Sequence, residues 1–325
     1  MNMKAALTTR YGPPEVVSIS EVERPTPGSD ELLIRVRATT VNRTDCSYRS
    51  GKPFVIKFFG GIRRPKTPIL GTEFAGVIEA VGEDVTTFTP GDRVCGYCEG
   101  TFGAHAEYMT VGAGRLIGRI PPDRTFAEAA PSMEGSHYAL AFLRPAQVKP
   151  GTAVLVYGAT GAIGSAAVQL AKSLGATVTA VCGTAHLDLV RGLGADRVVD
   201  YQTEDFTRDE QRYDLVLDAV GKSSFRHCRR LLNPKGIYSA SEGWLTIFLS
   251  LFGRFSRGRK VIFPFPRRDP EGIRFLTGLV ESGEFRPVVD RIYHLEEIPE
   301  AYRYAETGQK IGSLVIDIDR ANENV

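Results

Sequence analysis

The feature that most limits the fold of this chain is a strand, a glycine-rich turn and a helix that follow one another without interruption. Residues 153–158 (AVLVYG) form a continuous apolar run typical of a buried strand. The next segment places Ile163, Ala167 and Leu170 at helical spacing on one face. Further apolar strands alternate with helices up to about residue 285. This alternation predicts an α/β fold in which helices cover both faces of a parallel sheet.

The turn carries three evenly spaced glycines, Gly158, Gly161 and Gly164. We expect Gly158 to permit the tight turn, Gly161 to let the backbone approach a pyrophosphate, and Gly164 to let the helix pack closely on the strand. The phosphates then face a helix N-terminus, where free N–H groups and the helix dipole favour negative charge. The pattern is GxxGxxG rather than GxGxxG. In this setting it predicts a dinucleotide site, whereas a plain strand-to-helix turn rarely needs three glycines.

The end of the next strand indicates which dinucleotide binds. In NAD sites this strand usually ends with an acidic residue that hydrogen-bonds the ribose 2′-hydroxyl. Here the strand ends at Cys182 and continues as Gly183, Thr184, Ala185 and His186, with no carboxylate before Asp188. Small polar groups in this loop are able to accept a 2′-phosphate, and His186 either adds positive charge or is a solvated loop histidine. The missing acid favours NADP(H).

Composition and charge exclude several classes of protein. The chain has 325 residues, of which 42% are hydrophobic and 24% charged, and its formal net charge is +2. These values are typical of a globular protein of two domains and argue against nucleic acid as a partner. No secretory signal is visible, and the odd count of five cysteines favours a reducing cytoplasm. The longest apolar run, residues 244–252, is too short to span a membrane.

The two ends of the chain have a different texture from the middle. Short β-rich segments separated by Pro and Gly clusters occupy residues 1 to about 120 and predict a small β-barrel or sandwich. A helix-like segment near the C-terminus precedes a lone strand, GSLVIDID, at 312–319. We expect this last strand to return to the sheet of the first domain.

Several segments together resemble the medium-chain dehydrogenase/reductase superfamily. They are YGATGAIGSAAVQLAKSLGA, LVRGLGADRVVDY and DLVLDAVG in the middle, and VNRTDCSYRSG, PILGTEFAGVIEAVGEDVTTFTPGDRV and FGAHAEYMTV before them. The C-terminal FRPVVDRIYHLEEIPEAYRYAETGQKIGSLVIDI is also similar, and the order of the motifs agrees. Within the superfamily, the chain resembles the zinc-free quinone oxidoreductase branch.

The resemblance implies an architecture that agrees with the division made above. A GroES-like β domain would comprise residues 1–121 and 286–325, and a Rossmann domain would comprise residues 122–285. It implies a homodimer formed through an edge strand of the Rossmann sheet, for which KVIFPF (260–265) is the candidate. With the glycine turn, it implies cofactor contacts from Asn42, Gly158, Thr160, Gly161, Ala162, Ile163, Gly164, Gly183, Thr184, His186, Tyr201, Ala219, Val220, Gly221 and Ser241.

The positions that hold catalytic zinc in related alcohol dehydrogenases carry poor ligands here. They correspond to Asn42, Thr72 and Glu134. Catalytic zinc needs three good protein ligands, and asparagine and threonine are poor ones. The pair Cys95 and Cys98 lacks the further cysteines of a structural zinc lobe, so packing is favoured over a redox role. We therefore expect no metal.

Without zinc, hydrogen-bond donors must stabilise the charge that develops during hydride transfer. Such donors suit acceptors that are already activated, namely quinones and α,β-unsaturated carbonyls. The sequence thus favours an NADPH-dependent reductase of small apolar conjugated substrates. Two alternatives stay open: a zinc-type alcohol dehydrogenase and a non-catalytic NADPH-binding protein.

Three residues are candidates for catalysis. Asn42 occupies a lost zinc-ligand position, where its amide is able to donate to a carbonyl or orient the nicotinamide ring. Tyr48 is a potential proton donor nearby, although the branch often carries tyrosines at the positions of Ser47 and Pro53 instead. Tyr138 aligns with a position under the nicotinamide and is able to protonate an enolate, unless its segment is simply the start of a helix.

Overall fold

The computed structural model describes residues 1–98, 100–241, 246, 248–250, 258–263 and 270–318. The chain divides into two compact units, one formed by Met1–Glu134 with Ile273–Val325 and the other by Gly135–Gly272. Sequence analysis set the first boundary after residue 121. The segment that follows packs with the first unit, where the Glu73 carboxylate accepts hydrogen bonds from the backbone N–H groups of Met133 and Glu134.

Antiparallel strands dominate the first unit. A separate hairpin pairs β1 with β2, while β3, β4, β5, β7, β14 and β15 form one sheet with β6 paired to β3. The strands are β1 (Asn2–Thr8), β2 (Val17–Glu23), β3 (Glu31–Val41), β4 (Glu73–Val81), β5 (Arg93–Tyr97), β6 (Tyr108–Gly112), β7 (Leu116–Arg119), β14 (Val289–His294) and β15 (Ser313–Asp317). The C-terminal β15 runs antiparallel to β3, with Leu314 opposite Val41, which confirms the expected return of the last strand.

The helices of the first unit include α1 (Arg43–Ser50), α2 (Ile56–Gly60), α3 (Phe126–Ala129) and α9 (Ile298–Glu306). Two other helices, α4 (Glu134–Leu143) and α8 (Pro270–Glu281), contain residues of both units. The buried residues of α9 are Ile298, Ala301, Tyr302 and Ala305, three or four positions apart. This spacing places them on one helical face, which joins the core formed by β3 and its neighbours.

The second unit contains a six-stranded parallel sheet in the order β10-β9-β8-β11-β12-β13. Its strands are β8 (Ala153–Tyr157), β9 (Thr177–Cys182), β10 (Arg197–Asp200), β11 (Tyr213–Asp218), β12 (Leu232–Ala240) and β13 (Lys260–Ile262). Its helices include α5 (Ala162–Ser173), α6 (Leu187–Gly192) and α7 (Phe225–Cys228). Numbered within the sheet, the order is 3-2-1-4-5-6, that of a Rossmann fold. The order reverses between β8 and β11, so the expected ligand crevice lies at their carboxyl ends.

Within the described part of the chain, no helix is both long enough and apolar enough to cross a membrane. Most of the apolar run 244–252 lies outside the described residues. The candidate edge strand at 260–265 is described as far as residue 263, and β13 occupies its first three positions.

Candidate active site

The glycine turn joins the carboxyl end of β8 to α5. Gly158 has φ of 82°, a left-handed conformation that favours glycine. A Cβ atom at Gly164 would lie 2.1 Å from the carbonyl oxygen of Gly158, which explains why the first turn of α5 requires a glycine there. The structure thus gives Gly158 and Gly164 the steric roles expected from sequence.

Gly161 has a different role, because no neighbour within the described residues leaves too little room for a Cβ atom there. It precedes α5 with φ of −71°, and a Cβ atom there would meet only the Gly158 carbonyl oxygen, at 3.8 Å. The N–H groups of Ala162, Ile163 and Gly164 open the helix and have no partner within it. The open space beside these N–H groups fits a dinucleotide diphosphate, which also gains from the helix dipole.

The turn after β11 lies beside the glycine turn. A Cβ atom at Gly158 would lie 2.5 Å from Cγ1 of Val220, so the two turns are in contact. Asp218 organises this region by accepting hydrogen bonds from the N–H of Val220 at 3.1 Å and of Ser223 at 2.7 Å. Its carbonyl accepts the N–H of Ser241. The structure thereby brings together three predicted contact regions, Ala219–Gly221, Ser241 and the glycine turn, around a carboxylate that sequence analysis missed.

The loop after β9 contains an acidic neighbour that sequence analysis also missed. Asp200 ends β10 and lies in register with Cys182 of β9. Its Oδ2 accepts a hydrogen bond from the hydroxyl of Thr184 at 2.5 Å, and Gln202 Oε1 lies 2.7 Å from the same hydroxyl. The absence of a carboxylate from the sequence between Cys182 and Asp188 is therefore not an absence of negative charge beside this loop. The contact depends on the pairing of β10 with β9 and on its register, which the sequence does not show.

Three further residues predicted to contact the cofactor lie at this loop. Gly183 lies against Tyr201, whose hydroxyl oxygen would be 3.3 Å from a Cβ atom at Gly183. The Tyr201 side chain is exposed. His186 ends a single helical turn that begins at Thr184 and is half-buried. All of these residues lie at the carboxyl edge of β9 and β10.

In the first unit, Asn42 is the centre of a hydrogen-bonded cluster. Its Nδ2 donates to Thr72 Oγ1 at 2.6 Å and to Glu134 Oε2, while its Oδ1 accepts the N–H of Asp45 at 2.9 Å. Thr44 Oγ1 donates to the other oxygen of Glu134 at 2.8 Å. Both amide hydrogens of Asn42 are therefore donated within the protein. In this arrangement no amide hydrogen of Asn42 remains for a substrate carbonyl, and the role of Asn42 in catalysis stays a prediction.

Glu73 lies next to this cluster and holds the backbone at Met133 and Glu134. Its Oε1 accepts the N–H groups of Met133 and Glu134 at 3.1 and 2.7 Å, and its Oε2 accepts the Thr40 hydroxyl at 2.9 Å. Burial raises the pKa of Glu73 to about 7, although these hydrogen bonds and the positive charge of Lys310 lower it. Lys310 was not selected from sequence, because no motif marks it, whereas Glu73 was considered there only as one of two carboxylates, with Glu134, that would make a weak zinc site.

Asp45 is fully buried beside this cluster. Its two oxygens accept the N–H groups of Asn42 at 3.2 Å and Gly71 at 3.0 Å. Burial raises the pKa of Asp45 to about 8, partly opposed by these hydrogen bonds. His105 lies 4.0 Å from Asp45 and hydrogen-bonds the Thr40 carbonyl, while burial lowers the pKa of His105 to about 4. Asp45 therefore fixes the start of α1.

Comparison with known proteins identifies the family. Residues 28–122 match the alcohol dehydrogenase GroES-like domain, and residues 193–316 match the family described as zinc-binding dehydrogenase. The chain is 31% identical to 2-methylene-furan-3-one reductase of Solanum lycopersicum, over 97% of this chain and 79% of that protein. The chain belongs to the medium-chain dehydrogenase/reductase superfamily. It is an oxidoreductase of the quinone oxidoreductase-like type.

Two more comparisons agree with this assignment. The chain is 30% identical to the chloroplastic NADPH-dependent alkenal/one oxidoreductase of Arabidopsis thaliana, over 97% of this chain and 79% of that protein. The solved structure of the quinone oxidoreductase from Coxiella burnetii superposes with a TM-score of 0.86 at 27% identity, covering 98% of this chain and all of that one. Members of the superfamily bind a nicotinamide cofactor, and the glycine turn of the second unit fits its diphosphate.

The zinc implied by one family description does not fit the residues of this chain. Catalytic zinc needs three ligands whose lone pairs converge on the metal. The side chains of Asn42, Thr72 and Glu134 instead hydrogen-bond one another, with the Asn42 amide nitrogen acting as the donor. Among the described residues, no group of three His, Cys, Asp or Glu side chains is suited to hold a metal. These three side chains therefore form a hydrogen-bonded cluster and not a set of metal ligands.

The remaining candidates lie in different surroundings. Tyr48 is half-buried in α1, and its ring lies 4.6 Å from that of Phe102. Tyr138 is half-buried in α4 of the second unit. Cys95 and Cys98 are both buried and free, and Cys98 Sγ donates to the Thr72 carbonyl at 3.2 Å, which favours the packing role. The roles of the two tyrosines stay predictions.

Proposed function

We propose that this oxidoreductase uses NADPH, without zinc, to reduce quinones or α,β-unsaturated carbonyls. The observation that carries the proposal is the hydrogen-bonded set of Asn42, Thr72 and Glu134 at the positions that hold zinc in related enzymes. Without a Lewis acid, the acceptor must delocalise its own developing charge. Conjugated carbonyls and quinones have this property.

The choice of cofactor rests on the second unit. No acidic side chain follows β9 directly, and the helix α5 opens with free N–H groups beside Gly161. The relative from Arabidopsis thaliana is named as NADPH-dependent. When bound, the nicotinamide supplies a hydride to the conjugated acceptor.

Residues of the protein must then stabilise the negative charge on the substrate and supply the proton that completes the reduction. Hydride addition to the β-carbon of an enone leaves a negative oxygen, and one proton must be added to complete the reduction. We assign that proton to the phenol of Tyr48, which lies on the helix that Asn42 caps. Asn42 fixes the start of this helix and holds Glu134, so it positions the reacting region without donating to the substrate.

A substrate panel tests the proposal directly. Purified protein is titrated with NADPH and NADH, and oxidation is followed with benzoquinones, 2-alkenals, cyclic enones, simple ketones and alcohols. We expect NADPH oxidation with quinones or enones and transfer of deuterium from labelled NADPH to the product. Tyr48→Phe should lower kcat for enones, whereas the control Tyr304→Phe, a half-buried tyrosine of α9 whose hydroxyl donates to Asp290, should not.

The outcomes separate the alternatives. Stoichiometric zinc after dialysis, with alcohol oxidation, would establish the alcohol dehydrogenase alternative. NADPH binding with no turnover across the panel would establish the non-catalytic alternative. Absence of binding to either nucleotide would contradict the cofactor assignment.

We also propose that the chain forms a homodimer through the edge of the second sheet. Strand β13 is the outermost strand, and it pairs with β12 on one side. An edge strand offers unpaired backbone groups to a second copy of the same strand. Light scattering coupled to size exclusion should give a mass twice that of the chain, and Val261→Pro should reduce it to one chain.

A further inference from the structure

The loop that receives the 2′-group of the adenosine ribose contains a carboxylate contributed by the neighbouring strand. Asp200 ends β10 in register with the last residue of β9, and its side chain is 7% exposed. Rossmann proteins recognise the ribose at the end of the second strand, which is β9 here. Asp200 of β10 therefore provides, at the same edge of the sheet, the carboxylate that is missing from the end of β9.

The contacts of Asp200 fix the neighbouring loop. Its Oδ1 accepts the N–H of Gln202 at 2.9 Å, and its Oδ2 accepts the Thr184 hydroxyl at 2.5 Å. Arg191, on the helix after this loop, is paired with Asp188 at 2.7 Å. The carboxylate of Asp200 thus faces Thr184. Arg191 forms its ion pair with Asp188 and not with Asp200.

Thr184 has one hydroxyl hydrogen and two acceptors close to it. Besides Asp200, Gln202 Oε1 lies 2.7 Å away and also accepts the Thr184 N–H at 3.1 Å. An ionised carboxylate is the stronger acceptor, so the hydrogen points to Asp200. The Thr184 oxygen then offers a ligand only its lone pairs. Lone pairs accept from a ribose 2′-hydroxyl but repel a 2′-phosphate.

We propose that Asp200 is a specificity-determining positioning residue which, through Thr184, limits the preference of this protein for NADPH over NADH. The proposal rests on the cofactor site of the proposed function. Asp200 does not touch the nucleotide; it orients the Thr184 hydroxyl as an acceptor.

The decisive variant is Asp200→Asn. Its amide nitrogen is able to donate to the Thr184 oxygen, so the hydroxyl hydrogen is left to Gln202 Oε1 or to a phosphate. Dissociation constants for NADPH and NADH are measured by fluorescence titration on the full chain. We expect the ratio of the NADH to the NADPH constant to rise about tenfold, which corresponds to about 1.4 kcal/mol.

The matched control is Asp196→Asn, the same change of charge at the opposite end of β10. Asp196 pairs with Lys172 at 2.8 Å, far from the loop after β9. We expect the ratio of constants to stay as in the wild type. An equal rise in both variants would overturn the proposal, because it would show a general effect of net charge.

Thr184→Val gives a second measurement that does not require Asp200→Asn to fold. It removes the acceptor, so NADH affinity should fall about tenfold while NADPH affinity changes less. In this background Asp200→Asn should cause no further change in the ratio. A full further change would overturn the route through Thr184.

The two proposals fail in different ways. If the wild type and the variants bind neither nucleotide, the cofactor assignment fails. Calorimetry shows whether Asp200→Asn is folded. If the folded variant binds both nucleotides with the wild-type ratio of the NADH to the NADPH dissociation constant, only the role of Asp200 fails.

Discussion

The side-chain amide of Asn42 donates a hydrogen bond to the carboxylate of Glu134, which lies 92 positions further along the chain. The same asparagine caps α1 through the N–H of Asp45. One side chain thus links the start of a helix to the segment that follows the β-rich part of the first unit. Asn42 contributes to stability in two separable ways.

We predict that Asn42→Ala lowers the free energy of unfolding by about 2–4 kcal/mol, because loss of the cap costs about 1 and an abandoned buried acceptor costs about 1–3. Asn42→Ser is the matched control, since serine keeps the cap but has no amide donors. It should recover about 1 kcal/mol relative to alanine. Calorimetry on both variants checks this, and equal losses would contradict the separate contribution of the cap.

Much of the fold follows from patterns that are local in sequence. The apolar strand at 153–157, the three glycines and the helical periodicity after them lie within about twenty residues, so the strand–turn–helix unit was predictable. The return of the C-terminal strand was predictable as well, because a lone strand gains most by joining an existing sheet. Its partner β3 and its register were not, since register depends on the facing side chains of both strands.

The polar contacts of the site depend on strand order and could not be predicted in the same way. Thr184 and Asp200 are 16 positions apart and meet only because β10 pairs with β9 in a particular register. Asn42 and Glu134 meet through the packing of the segment after residue 121 on the first unit. Sequence analysis selected Asn42 and Thr184, but their partners require the three-dimensional arrangement.

Two glycines of the same turn should respond differently to alanine. At Gly161 the methyl group has room and φ is compatible, so Gly161→Ala should cost less than about 1 kcal/mol of stability. It should nevertheless weaken NADPH binding, because the methyl group enters the space of the diphosphate. At Gly164 a methyl group meets the Gly158 carbonyl, so Gly164→Ala should destabilise the second unit itself.

Thermal unfolding and fluorescence titration on both variants separate these effects. We expect Gly161→Ala to unfold near the wild-type temperature but to bind NADPH weakly. Gly164→Ala should unfold at a lower temperature than the wild type. Wild-type NADPH affinity in Gly161→Ala would contradict the position of the diphosphate.

Arg49 and Glu306 form an ion pair with unequal burial. The Arg49 side chain is 1% exposed, whereas the Glu306 side chain is 40% exposed. Arg49 also donates to the Gly12 carbonyl, and its guanidinium lies 5.0 Å from the centre of the Tyr302 ring. Removal of the glutamate leaves a buried charge without its partner, whereas removal of the arginine leaves a carboxylate that is accessible to water.

We therefore predict that Glu306→Ala costs more stability than Arg49→Met, about 2–4 against about 1–2 kcal/mol. Urea unfolding at neutral pH measures both. Glu15→Ala is the control, because its ion pair with Arg303 is exposed on both sides and should contribute little to stability. A larger loss for Arg49→Met than for Glu306→Ala would show that the packing of the arginine outweighs its charge.

The buried acids predict that stability falls as pH rises near neutrality. Burial raises the pKa of Asp45 from 3.8 to about 8 and that of Glu73 from 4.5 to about 7. For each acid, the folded state binds more protons than the unfolded state at pH values between its ordinary pKa and its raised pKa. The free energy of unfolding therefore decreases as pH rises through that interval, by up to about 1.4 kcal/mol per pH unit for each group. Buried His105, with its pKa lowered from 6.5 to about 4, has the opposite effect below pH 6.5.

The interval from pH 6.5 to 8 is therefore the informative one. Urea unfolding at steps through this interval should show falling stability in the wild type. In Asp45→Asn the slope should be flatter, above all close to pH 8, where Glu73 is well past its midpoint and Asp45 is at its own. Asp30→Asn, which changes an exposed carboxylate, should keep the wild-type slope. A wild-type stability that is constant or rises across this interval would mean that Asp45 is ionised in the folded protein, and that the hydrogen bonds from Asn42 and Gly71 outweigh the effect of its burial.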